Sequence, residues 1–173
     1  APAGEQIFIA VGSGTITDIT RYVAYRTANA FISVPTAPSV DGFISTGAVL
    51  VFGGMKDTVY VIPPLAVFAD LPTLVNAPPR LIAAGYGDIL GKYTALADWK
   101  LAHLLWGESY QPAIADRVEK ALKLCVASTD AIAARSPQGI RHLIEALLQS
   151  GLGMVECGNS RPASGAEHHC SHY

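Results

Sequence analysis

The feature that most constrains the fold is a nearly all-apolar run, Gln6 to Val11 (Q-I-F-I-A-V), that stops at Gly12-Ser13-Gly14-Thr15. Helical spacing of apolar residues follows from Ile16 to Tyr25. A short apolar run without alternation reads as a strand buried on both faces, which is what a parallel sheet requires. A second such run, Ala30 to Val34, ends in Pro35-Thr36-Ala37-Pro38-Ser39. Strand, glycine turn, helix and strand together make one unit of a parallel α/β sheet. Asp18 is expected in the first turn of the helix, where a carboxylate suits the positive end of the dipole.

Beyond this unit the period changes. Ala48 to Ile62 alternates on either side of G-G-M-K-D, a hairpin signal, and Val67 to Asp70 reads as one more strand. After Pro78-Pro79 the spacing becomes helical, with helices expected over Arg80–Trp106, Ala113–Arg135 and Gln138–Glu156, the last opened by Pro137. The expected layout is α/β followed by all-α: part of a dinucleotide-binding parallel sheet over 1–64 and part of a helical, metal-binding domain over 65–173. The first strand has no element before it, and the last helix has no Gly or Asn cap. Both ends therefore read as cuts in a longer protein.

Half of the 173 residues are hydrophobic and 15% are charged, against about a quarter charged in an average soluble domain. Such a surface suggests that a partner segment is missing. With a net charge of -2 and no basic cluster, nucleic acid is not an expected partner. No apolar run reaches membrane-spanning length, and the N-terminus, with Glu5 and no basic region, does not look like a secretory signal. Three cysteines at no metal-finger spacing, Cys125, Cys157 and Cys170, suit reduced thiols in a cytoplasmic protein. Cys170 is read as a small apolar helix residue rather than a metal ligand.

Four constellations carry chemistry. Gly12-Ser13-Gly14-Thr15 lets backbone approach a phosphate at a helix start, although a G-x-G is also an ordinary tight turn. The second, Thr36-Ala37-Pro38-Ser39-Val40-Asp41-Gly42, follows the next strand and so faces the same crevice at the carboxyl ends of the strands. There Thr36, Ser39 and Ser45 can hydrogen-bond a cofactor and Asp41 can bind substrate hydroxyls; a proline-set Asx or Ser/Thr turn is the plainer alternative. Gly85-Tyr86-Gly87-Asp88, with Lys92 four residues on, costs a helix about 1 kcal/mol per glycine. That cost implies a bend or a close approach; Asp88–Lys92 otherwise reads as a helix-face pair worth about 0.2–0.5 kcal/mol. In the fourth, Ser160 to His172, Ser164 and Glu167 form a capping-box pattern that starts a helix near Gly165. His168 and His172 then share one face and His169 points roughly a hundred degrees away. A helix start keeps such imidazoles neutral, ready for a metal or a proton.

Long ordered motifs carry a resemblance. Gly12 to Asp18, Pro35 to Phe43, Ala84 to Lys92, Ala97-Asp98-Trp99 and Ser160 to His169 resemble the iron-containing alcohol dehydrogenase superfamily, and within it the bacterial sn-glycerol-1-phosphate dehydrogenases. The superfamily also holds glycerol dehydrogenase and dehydroquinate synthase. The resemblance implies an NAD- or NADP-dependent, metal-dependent oxidoreductase of phospholipid metabolism, with its active site between an α/β and a helical domain. By that likeness Gly12, Ser13, Gly14, Thr15 and Ile16 lie on the cofactor diphosphate, and Thr36, Ala37, Pro38, Ser39 and Ser45 line the cofactor. Asp88 and His168 hold one divalent metal, zinc or nickel; Asp41, Asp88 and His172 meet a small phosphorylated substrate; Asp88, His168 and His172 are the catalytic set. The family's second metal-binding histidine lies after residue 173, so the chain alone is expected to bind metal weakly and to be inactive, the whole protein being a homo-oligomer. Alternatives are a glycerol dehydrogenase, a dehydroquinate-synthase-like lyase, and an inactive binding fragment.

Overall fold

The computed structural model of the chain describes residues 6–170. Strand β1 (Ile7–Gly12), helix α1 (Gly14–Arg26) and strand β2 (Ala30–Pro35) form the expected unit. The two strands are parallel and in register from Ile7 opposite Ala30 to Gly12 opposite Pro35. Helix α1 covers one face through Ala24, which packs with Ala10 and Phe31. The other face differs from expectation. Ile7, Ile9 and Val11 stand exposed, because no described element covers that side of β1. Asp18 also differs: it lies a full turn inside α1, where it pairs with Arg21 instead of meeting the helix end.

A 3-10 turn, Asp41–Phe43, leads to the hairpin β3 (Gly47–Phe52) and β4 (Met55–Tyr60). Its turn is the dipeptide Gly53-Gly54, with φ +57° and +84°, the left-handed backbone that a two-residue hairpin loop requires. Met55, Lys56 and Asp57 thus belong to β4 and not to the turn. Strand β5 is only Ala66–Val67 and pairs parallel to β2, giving the sheet order β1-β2-β5. The expected strand through Asp70 stops early because Asp70 caps α2 (Leu71–Val75), accepting the Thr73 N–H at 3.0 Å.

The long helices are broken where the sequence suggests continuity. Gly91 separates α3 (Pro79–Leu90) from α4 (Lys92–Trp106), and Ser128 separates α5 (Pro112–Ala127) from α6 (Thr129–Ala133). Helix α7 (Pro137–Cys157) starts at Pro137, with the Ser136 hydroxyl accepting the Gly139 N–H at 3.1 Å. Gly107 and Gly158 close α4 and α7 in the left-handed region. A short α8 (Ala166–Cys170) ends the described chain. The main core joins the loop after β2 to the helices: Ala37 and Phe43 pack with Leu74, Ile82, Ile89, Leu122, Leu143 and Leu147. That shared core, and a sheet that reaches β5 beyond residue 64, bring the strand ends and the helices to one place.

Candidate active site at the carboxyl ends of the strands

The site is organised by the segment after β2, residues 36–45, which four elements grip. At the start of α1, Ser13 Oγ and Ser39 Oγ lie 2.6 Å apart and join the two expected cofactor loops. The turn before α1 is held tight, since a Cβ on Gly12 would sit 2.7 Å from Ile16 Cβ. Helix α1 starts directly at the carboxyl end of β1, and the first N–H groups of a helix have no partner within it. Ala37, Pro38, Ser39 and Ser45 are buried and Thr36 is half-buried. Ser45 donates to the Gly42 carbonyl at 3.2 Å, so its hydroxyl braces the loop.

Helix α3 meets the same loop at Gly85. A Cβ there would lie 1.8 Å from the Pro38 carbonyl oxygen, so only glycine lets the backbones approach. Gly87 has nothing within 4 Å of its Cβ position, and of the two glycines only Gly85 is explained by packing. On α7, Gly151 plays the matching part, its Cβ position 2.5 Å from the Asp41 carbonyl oxygen and 2.3 Å from Ile44 Cγ2. Beneath the loop, fully buried Arg21 donates to the carbonyls of Gly42 (2.5 Å), Phe43 (3.3 Å) and Gly47 and to Asp18 (2.8 Å).

These grips bring two carboxylates and an ammonium together. Asp88 Oδ2 accepts the Asp41 backbone N–H at 2.8 Å. Lys92 Nζ lies 2.9 Å from Asp88 Oδ1 and 2.9 Å from Asp41 Oδ2, which also accepts from Ser150 Oγ at 2.8 Å. Lys92 is only 2% exposed, so this is not the solvated helix-face pair that the four-residue spacing suggests. Burial, reinforced by the Asp41 charge and only partly offset by Lys92, pushes the Asp88 carboxyl up to about 6. Burial works against the Lys92 charge too, but the two carboxylates outweigh it and push Lys92 up to about 12.

Helix α8 docks beside this cluster. Glu167 Cγ lies 3.5 Å from the Cβ position of Gly91, three residues after Asp88. The expected capping box is replaced: Glu167 Oε1 accepts the Gly165 N–H at 3.1 Å, and Asp98 of α4 accepts the Ala166 N–H at 2.7 Å. Asp98 tethers α8 from another helix, so the local Ser164–Glu167 pairing is not what starts it. His168 is on α8 with its side chain exposed, and Cys170 is exposed rather than packed. His172 lies outside the described residues, and the structure does not describe the His169 side chain.

Asp88 is a charged oxygen donor of the kind a divalent cation takes, but Lys92 holds its Oδ1 and the Asp41 N–H its Oδ2, so a cation bound there would displace one of them. Among the described residues no three His, Cys, Asp or Glu side chains cluster as a complete metal site. Sequence reasoning singles out Asp41, Asp88, Ser13 and Ser39: Asp41 and Asp88 share Lys92, while Ser13 meets Ser39 on the same loop. It misses Arg21 and Ser150. The S-G-L-G of residues 150–153, two glycines inside a helix, carries the same close-approach signal as Gly85.

Residues 1–78 match the iron-containing alcohol dehydrogenase family. Within that class its similarity is to glycerol-1-phosphate dehydrogenases [NAD(P)+]. The one from Bacillus licheniformis is 52% identical over 172 residues, covering 99% of this chain and 43% of the relative. The one from Bacillus subtilis is 53% identical over 167 residues, covering 96% and 42%. The crystal structure of glycerol dehydrogenase from Schizosaccharomyces pombe has the same fold, with a TM-score of 0.67, 23% identity, and coverage of 88% of this chain and 42% of that one. The chain thus spans less than half the length of the relatives it matches. No helix among the described residues is long and apolar enough to cross a membrane.

Proposed function

We propose that the whole protein is an NAD(P)-dependent, metal-dependent sn-glycerol-1-phosphate dehydrogenase, reversibly transferring hydride between NAD(P)H and dihydroxyacetone phosphate. The observation that carries this is the Asp41–Lys92–Asp88 network, joined through residues 36–45 to the glycine turn at the start of α1. Similarity to glycerol-1-phosphate dehydrogenases over nearly the whole chain supports the substrate.

In this reading the α1 start, Gly12 to Ile16, receives the cofactor diphosphate, and Thr36, Ala37, Pro38, Ser39 and Ser45 form the wall beside it. Asp88 and His168 hold one divalent ion, zinc or nickel. Once bound, the ion supplies Lewis acidity at the substrate carbonyl, and the nicotinamide supplies the hydride. Asp41, fixed by Lys92 and Ser150, accepts hydrogen bonds from substrate hydroxyls. His172 orients the substrate or relays the proton that the reduced oxygen takes up. The cytoplasmic setting and the homo-oligomeric state belong to the same proposal and rest on the family resemblance.

The test uses the full-length protein. NADH oxidation with dihydroxyacetone phosphate is compared with oxidation on unphosphorylated dihydroxyacetone, and Asp88→Ala and His168→Ala are assayed for bound metal and turnover. The proposal expects a strong preference for the phosphate, and loss of metal and activity in both variants. Equal or better rates on dihydroxyacetone point instead to a glycerol dehydrogenase, and an active, metal-replete Asp88→Ala removes that ligand.

A further inference from the structure

We propose that Ser150 is a positioning residue that turns the Asp41 carboxylate so that Oδ1 receives the free hydroxyl of dihydroxyacetone phosphate, which makes that hydroxyl a requirement for tight binding. The inference rests on the dehydrogenase reading above. Asp88 has both carboxylate oxygens engaged, Oδ1 by Lys92 at 2.9 Å and Oδ2 by the Asp41 N–H at 2.8 Å. Asp41 takes both of its donors on one oxygen: Oδ2 lies 2.9 Å from Lys92 Nζ and 2.8 Å from Ser150 Oγ. Among the described residues no hydrogen bond reaches Asp41 Oδ1, and the side chain is 13% exposed. Oδ1 is therefore the carboxylate oxygen of the cluster left for an incoming donor, and a substrate hydroxyl supplies one.

Lys92 does not set the plane of the Asp41 carboxylate by itself. An ammonium is a compact charge with rotatable donors, and the torsion that turns an aspartate carboxyl is soft. A second donor on the same oxygen, coming from another helix, fixes that torsion. Ser150 is placed to be that donor. It is fully buried, and its neighbour Gly151 lets α7 lie against the Asp41 backbone, a Cβ there falling 2.5 Å from the Asp41 carbonyl oxygen. Consecutive residues of α7 thus grip the side chain and the main chain of Asp41. A serine inside a helix often bonds the carbonyl four residues back. This one donates its single proton to Asp41, 109 residues away in the chain.

The test compares dihydroxyacetone phosphate with acetonyl phosphate, which has hydrogen in place of that hydroxyl, on the full-length enzyme. KM and kcat are measured for the first, and an inhibition constant for the second as a competitor. NADH affinity, followed by fluorescence, reports on whether the variants are folded. Ser150→Ala leaves Asp41 paired with Lys92, so no buried charge loses its partner. It is expected to raise KM for dihydroxyacetone phosphate about tenfold, to lower kcat by a smaller factor, and to leave NADH affinity at the wild-type value. The inhibition constant of acetonyl phosphate is expected to be the same in variant and wild type, because the contact that Ser150 prepares is missing from that ligand. Ser150→Cys, of nearly the same shape with a weak donor, takes its place with the same expectation if Ser150→Ala does not fold. Equal losses on both ligands overturn the proposal, since a serine that only holds α7 against the loop weakens both alike. The reading beneath it fails separately. If the wild-type enzyme does not turn over dihydroxyacetone phosphate, or binds acetonyl phosphate as tightly, Asp41 does not recognise the hydroxyl and the inference falls with it. If the wild type discriminates while folded Ser150→Ala keeps its KM, only the role of Ser150 falls.

Discussion

Replacing Gly85 by alanine sets two physical effects against each other. Alanine is the better helix former by about 1 kcal/mol, so on propensity alone the change stabilises α3. The new Cβ, however, would lie 1.8 Å from the Pro38 carbonyl oxygen and 2.8 Å from its carbon, where real Cβ atoms essentially never come within 3.0 Å. Both partners are backbone, so the loop must retreat by about 1 Å or more, and overpacking of that kind costs about 1–3 kcal/mol. Retreat also strains the Ser13–Ser39 contact of 2.6 Å and the Asp41 N–H to Asp88 bond of 2.8 Å, worth about 1 kcal/mol and about 1.5–3 kcal/mol respectively. The net expectation is a destabilisation of about 2–4 kcal/mol. NADH should also bind more weakly, because the loop proposed to line the cofactor moves. Gly87→Ala is the control, with nothing within 4 Å of its Cβ position, and should gain up to about 1 kcal/mol. Urea unfolding of the two variants beside wild type, with NADH titration, decides. A Gly85→Ala protein as stable as wild type with undiminished NADH affinity would refute the close-approach argument.

Arg21→Met leaves Asp18 and the carbonyls of Gly42, Phe43 and Gly47 without their buried donor, and urea unfolding should show a loss of about 3–5 kcal/mol. In metal-free protein the folded state holds the Asp88 proton to a pH of about 6, above its ordinary 3.8. The folded form therefore binds more protons within that window, and stability falls as pH rises through it. Asp88→Asn removes that dependence, so its stability relative to wild type should improve between pH 4 and 7, as read from urea melts at both pH values. Burial pushes the Cys125 thiol up to about 11 while Cys170 is exposed; at pH 8 a thiol reagent should label Cys170 quickly and Cys125 only after unfolding, checked by peptide mass mapping.

How far the sequence reads this protein follows from the range of the interactions involved. Period and glycine placement are local, so the β1–α1–β2 unit, the hairpin at Gly53-Gly54 and the start of α7 at Pro137 are all legible. The helix breaks at Gly91 and Ser128 are not, because apolar spacing runs straight across them. Asp98, which caps α8 from 68 residues away, shows the same limit, as a cap donated by another helix leaves no local pattern. In the site, glycine cost points to Gly85, and strand-end loops point to Asp41 and Ser39. The burial of Lys92, its second carboxylate and the clamp made by Arg21 depend on which helices cross the loop, and no spacing rule records that. His168 marks the other boundary: its sequence context proposes a ligand, while the structure holds its side chain exposed on α8.

The most direct test of the account is anomalous diffraction at the zinc edge from crystals of the full-length protein with zinc bound. The account expects one strong peak at about 2.0–2.2 Å from both an Asp88 carboxylate oxygen and a His168 ring nitrogen, with Asp41 still held by Lys92. A peak away from Asp88, or one that His168 does not reach, contradicts it.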